Sequence, residues 1–118
     1  MPAQMFSTVV ATPGTPQRVT PTDVPAQPVI SGVLGGQATP RGSIIAFQAS
    51  AANTATKSIF IGGPTMNVSA LTGIGLALLP GQSVVLELST GTTDAADFWI
   101  DTNSPNAATE KLFVTVVG

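Results

Sequence analysis

Apolar and polar side chains alternate through the second half of the chain. In Ser83–Leu88, the residues Val84, Leu86 and Leu88 share one side of an extended backbone, and Ser83, Val85 and Glu87 share the other. In Lys111–Val117, the residues Leu112, Val114 and Val116 oppose Lys111, Phe113, Thr115 and Val117. In Asp97–Asp101, Phe98 and Ile100 oppose Asp97, Trp99 and Asp101. Ser43–Ala49, Ser58–Ile61 and Gly73–Leu79 are further runs of β type. Turn residues separate the runs: Ala51-Ala52-Asn53-Thr54, Gly62-Gly63-Pro64, Pro80-Gly81, Thr90-Gly91-Thr92 and Asn103-Ser104-Pro105-Asn106. Helical periodicity is poor, and Val, Ile and Thr are plentiful, which suits a pleated surface. Short strands at this spacing predict an all-β sandwich or barrel.

The two sides of these strands differ. One is cleanly apolar, as a core requires. The other still carries Phe60, Val85, Trp99, Phe113 and Val117, a second apolar set that is unusual for a sheet face open to water. It is expected either to lie under the N-terminal segment or to form an oligomer interface.

Seven of the ten prolines fall in the first forty residues. Proline fixes φ, removes a main-chain donor and pushes the preceding residue extended. Residues 1–34 are therefore expected to form an extended Pro-rich arm, with a short strand at Met5–Val10, and residues 35–118 a β-sandwich core domain. Met5, Phe6, Val9, Val10, Val19, Val24, Val29 and Ile30 give the arm apolar anchors. These pack either on the chain's own core or on a partner.

Composition narrows the chemistry. There is no Cys, His or Tyr, and only 8% of residues are charged against a usual share of roughly 25%. Disulfides, Cys or His metal sites, thiol nucleophiles and imidazole bases are excluded. The net charge is −2, and Arg18, Arg41, Lys57 and Lys111 are scattered singly, which argues against nucleic acid. The longest uncharged apolar run, Ile74–Leu79, is far short of the roughly 20 residues that span a bilayer. The N-terminus has no basic stretch of the secretory type, so the sequon Asn67-Val68-Ser69 is expected to be accidental. A surface built on Thr, Ser, Gln, Asn and Ala suits either a chain packed against neighbours or a soluble monomer.

Candidate sites are few. Asp94, Asp97 and Asp101 cluster, but no calcium loop surrounds them, and they are expected to be strand-end and loop carboxylates in solvent. Glu87 and Asp97 are formal partners for a glycosidase, without a sugar-binding aromatic row beside them. Gly73-Ile74-Gly75 lacks the third glycine of a dinucleotide fingerprint. Gly62-Gly63-Pro64-Thr65 lacks the Gly-Lys-Ser/Thr ending of a P-loop and is expected to be a tight turn. Trp99 is a candidate stacking platform for a sugar, although a single Trp in a strand is more often core or interface. No catalytic residue, metal, cofactor or small-molecule substrate is expected.

The segments Ser58-Ile59-Phe60-Ile61-Gly62-Gly63, Met66-Asn67-Val68-Ser69, Gly73-Ile74-Gly75-Leu76 and Leu79-Pro80-Gly81-Gln82-Ser83-Val84 resemble a pattern common in small virion proteins of tailed bacteriophages. Asp97-Phe98-Trp99-Ile100 and Lys111-Leu112-Phe113-Val114-Thr115-Val116 continue it, so the resemblance covers roughly residues 43–118. Phe60 stands where Tyr is frequent, and Leu78-Leu79 makes a more apolar approach to Pro80-Gly81 than usual. The resemblance implies a jelly-roll-like β-sandwich acting as a non-enzymatic head-decoration (cement) protein. Such a protein sits on the outer surface of the phage head as a homotrimer and clamps neighbouring major capsid protein subunits. Under that implication Met5, Phe6, Val9, Val10, Arg18 and Val19 of the arm contact the capsid. Phe60, Val85, Trp99, Phe113 and Val117 form the oligomer interface. A tail, neck or fibre-associated protein and a carbohydrate-binding β-sandwich are the alternatives.

Overall fold

The computed structural model describes residues 4–20, 41–87, 91 and 93–117. Among the described residues ten strands follow one another: β1 (Gln4–Val9), β2 (Gln17–Arg18), β3 (Arg41–Gly42), β4 (Ile44–Ala49), β5 (Ile59–Asn67), β6 (Thr72–Leu78), β7 (Ser83–Glu87), β8 (Thr93–Asp94), β9 (Trp99–Thr102) and β10 (Lys111–Val117). A single turn of 3-10 helix, Ala95–Asp97, precedes β9. The first sheet has the order β1-β10-β4-β7 and the second β2-β9-β5-β6, while β3 and β8 form a small separate pair. Every pairing is antiparallel.

The two sheets close on one core. The first contributes Phe6, Ile45, Phe47, Ala49, Leu112, Val114 and Val116, the second Ile59, Ile61, Leu78 and Ile100, and Val10, Val19 and Ala95 come from the connections. This is a sandwich-like arrangement, and its alternation is the one read from β10: Leu112, Val114 and Val116 are buried while Phe113 is exposed. Burying each large side chain stabilises the fold by about 1.5–3 kcal/mol. Phe98 meets Phe47 edge-on, ring centres 5.3 Å apart.

Polar groups close the ends. Asn53 acts as an extra strand residue beside β10: its Nδ2 donates to the Lys111 carbonyl at 2.9 Å, and its Oδ1 accepts from the Lys111 N–H at 2.8 Å. Glu110 is buried, with one carboxylate oxygen accepting from the Thr54 N–H and the other from the Thr54 hydroxyl. At Pro80-Gly81 the chain turns with Gly81 at φ +84°, and Gln82 N–H donates back to the Leu79 carbonyl.

Three expectations change. The described part of the supposed arm, residues 4–20, is built into the body. β1 pairs along its length with β10, β2 pairs with β9, and Phe6, Val10 and Val19 are core residues. Of the described anchors, Phe6, Val10 and Val19 pack within the chain, because β1 carries no proline and alternates like any half-buried strand. Residues 21–34 of the expected arm lie outside the described residues.

Gly62-Gly63-Pro64 is not a turn. β5 runs through it to Asn67, with register shifts against β6 on both sides of Gly62. A side chain at Gly62 would put its Cβ 2.2 Å from the Gly73 carbonyl oxygen, so glycine is there for a close strand approach. Asp97 belongs to the 3-10 turn rather than to a strand. Asp94 caps that turn by accepting from Ala96 N–H, and Asp97 reaches back to the Asp94 N–H and the Thr93 hydroxyl.

Candidate functional site

Pairing fixes the outer face of the first sheet row by row. One row runs Met5, Thr115, Ala46, Val85 across all four strands. The next runs Ser7, Phe113, Gln48, Ser83, and a third holds Val117, Ile44 and Glu87. Side chains directly opposite on adjacent strands lie about 5 Å apart, so each row is continuous. Met5 is 64% exposed, Val85 56% and Phe113 44%, and Ile44, Ala46, Thr115 and Val117 are half-buried between them. Among the described residues, the ionisable groups of this face sit toward the margins: Glu87 at one end of the sheet, and Lys111 on β10 at the other. The result is an outward face of mixed character, in which exposed Met5, Val85 and Phe113 and half-buried Ile44, Ala46 and Val117 are interleaved with Ser7, Gln48, Ser83 and Thr115.

The second sheet presents a different outer side. Arg18 and Trp99 are paired across β2 and β9, and the guanidinium carbon lies 5.3 Å from the centre of the Trp99 ring. Phe60 and Met66 are buried there, apart from the main core. The set expected to form one interface is thus divided. Val85, Phe113 and Val117 share the outer face of the first sheet, Trp99 is half-buried on the second, and Phe60 is buried. Alternation assigns a residue to a side of its strand but cannot say to which sheet the strand goes.

The six expected capsid-contact residues divide likewise. Phe6, Val10 and Val19 are inside the chain's own core and have no surface to offer a partner. Met5 and Arg18 are exposed, and Val9 is half-buried. The residues missing from the expected surface are Ile44 and Ala46. The signal that would have found them is the period-two pattern of Ser43–Ala49, in which Ile45, Phe47 and Ala49 turn inward.

Asp101 corrects another expectation, since it is not in solvent but fully buried. It pairs with Phe60 in register, and its Oδ1 accepts from the Gly14 N–H at 2.9 Å and the Thr102 N–H at 2.7 Å. It thereby ties the β1–β2 connection to β9. Its Oδ2 is buried and accepts no hydrogen bond among the described residues. Nearby, a cleft of 380 Å³ lies between Pro13-Gly14, Val68-Ser69 and Thr102–Pro105. Its described lining holds hydroxyls, an amide and main chain, with no ionisable side chain among the described residues. Among the described residues no three acidic side chains converge as a metal site would require. No described helix is long and apolar enough to cross a membrane.

Compared with known proteins, the chain matches no family model, no curated protein and no solved structure. The outward Met5, Val85 and Phe113 on the first sheet are the feature that the fold itself leaves unexplained.

Proposed function

We propose that the protein is a non-enzymatic structural component of a tailed-phage virion, a head-decoration protein that cements neighbouring major capsid subunits from outside. The observation that carries this reading is the outward display of Met5, Val85 and Phe113 on one sheet face whose other members are small, apolar or uncharged except at its margins. Such a face binds by excluding water over a broad area, with no special side-chain chemistry. Full burial of a Met, Val or Phe side chain contributes about 1.5–3 kcal/mol. Each contact is weak alone and is multiplied by the symmetry of a shell. A homotrimer around a capsid axis is the assembly the resemblance implies, and it belongs to this reading.

Strand order supports it. Leaving aside the small β3–β8 pair, the eight ladder strands fill the first sheet in the order first, eighth, third, sixth. They fill the second in the order second, seventh, fourth, fifth. The chain crosses between sheets at every step except the β5–β6 hairpin. We read this as a jelly roll of two interlocked Greek keys, an architecture shared by viral capsid and lectin domains. The lectin alternative draws less support, because the one Trp is paired with Arg18 and no aromatic row lies beside it.

Co-sedimentation of the purified chain with phage heads stripped of decoration tests the proposal. Val85→Asp together with Phe113→Asp is expected to lower head binding at least tenfold while the circular dichroism is unchanged. Equal binding by the double variant overturns the assigned face.

A further inference from the structure

β7 ends the first sheet: β4 lies on one side of it, and no described strand lies on the other. The hydrogen-bond phase of the edge can be fixed. Ala49 N–H donates to the Gln82 carbonyl at 2.9 Å, and Ser50 N–H donates the other way, to the Lys111 carbonyl of the β10 side, at 3.0 Å. Alternation from these two points makes Ile45–Leu86 and Phe47–Val84 the hydrogen-bonded pairs of β4 and β7. Ser83, Val85 and Glu87 therefore turn their main-chain N–H and C=O groups away from the sheet. Of the usual edge guards, Ser83-Val84-Val85-Leu86-Glu87 has no proline, bulge or inward charge; its shortness and the terminal Glu87 are the guards it does have.

We infer that this edge pairs with itself: a second copy of the chain docks antiparallel, β7 against β7 about Val85, making one eight-stranded sheet from two of four. The five residues are complementary to their own reverse. Ser83 of one copy meets Glu87 of the other, where hydroxyl donates to carboxylate. Val85 meets Val85, and the outward main-chain groups of Ser83, Val85 and Glu87 find those of Glu87, Val85 and Ser83. The two Glu87 carboxylates stand at opposite ends, so no like charges meet. On the inner side Val84 and Leu86, which are only partly buried at the rim of the core, come to lie against Leu86 and Val84 of the second copy. On the outer side the row Met5, Thr115, Ala46, Val85 continues into its own mirror sequence.

The contact has a two-fold axis across the sheet, closes at two copies and leaves both outer faces pointing the same way. It stands on the edge geometry alone and adds to the capsid reading a contact that a three-fold ring does not contain. Within that reading it doubles the adhesive area each assembly presents to a shell.

Native mass of the full chain and of two edge variants tests this. Val85→Pro deletes an outward N–H without touching the β4 ladder, a substitution that edge strands tolerate. The wild-type mass is expected to be an even multiple of the chain, and Val85→Pro to halve it with the circular dichroism unchanged. The sequence has no cysteine, so single introduced thiols report proximity cleanly. Val85→Cys is expected to form an intermolecular disulfide under mild oxidation, since the paired Cα atoms would stand about 5.5 Å apart. Val84→Cys is expected to stay reduced, its counterpart lying about 8 Å away. A monomeric wild type, an odd multiple, a mass indifferent to Val85→Pro, or equal cross-linking by the two thiols would each overturn the self-pairing. A trimer that ignores Val85→Pro and still binds heads overturns it while sparing the capsid reading. If Val85→Pro does not fold, the thiol pair decides.

Discussion

Phe6 and Met5 are neighbours on β1 with opposite fates. Phe6 is 5% exposed and packs in the core, whereas Met5 stands on the outer face. Phe6→Ala removes a large buried ring, and such changes cost about 3–5 kcal/mol depending on how far the site collapses. β1 is an edge strand that can relax inward, so about 3 kcal/mol is the expected loss. A domain of this kind has only about 5–15 kcal/mol in total. Unfolding followed in urea should therefore show a clear fall in midpoint at unchanged slope. At roughly 4 °C per kcal/mol, between the values for smaller and larger domains, the melting temperature falls by about 12 °C. Met5→Ala is expected to stay within about 0.5 kcal/mol of the parent. A Phe6→Ala loss below about 1 kcal/mol, or equal losses for the two, would mean that β1 is a detachable arm and that the assignment of the N-terminal strand to the core is wrong.

Other substitutions probe the joints. Glu110→Ala leaves the half-buried main-chain N–H of Thr54 without its acceptor and is expected to cost about 1–3 kcal/mol in the same urea assay. Asn53→Ala removes both side-chain bonds that extend β10 and should cost about 1–3 kcal/mol. Gly62→Ala forces a Cβ against the Gly73 carbonyl oxygen, and a loss of about 1–3 kcal/mol with faster amide exchange in β6 is expected. Val85→Asp alone should leave the fold of the single chain within about 0.5 kcal/mol, measured at a dilution where the wild type is monomeric, because its cost appears only when the β7 edge or the face is covered.

Much of the fold is legible in the chain. Period-two alternation marks β7 and β10 and assigns their inner faces correctly, since each turns one side of an unshifted register toward the core. It fails at β5, where Gly62 and Gly63 read as punctuation although they serve a close approach between strands within a long hairpin. Proline density was a poor guide to the N-terminus. Pro13 and Pro16 sit in the connection between β1 and β2, where proline is tolerated, and they say nothing about whether the flanking residues join a sheet. Of the surface, Val85, Phe113 and Val117 were legible as outward and apolar. Their separation from Trp99 and Phe60 was not, because it depends on which strands become neighbours. The burial of Asp101 was hidden as well, since the loop that covers it meets it 87 residues away in sequence.

The central claim is adhesion to a phage shell through the outer face of the first sheet. A density map of the intact particle tests it most directly. The account predicts this chain on the outside of the head, with Met5, Val85 and Phe113 buried against major capsid subunits. Density for the chain in the tail or the interior, its absence from the particle, or an attached copy with that face turned to solvent would contradict it.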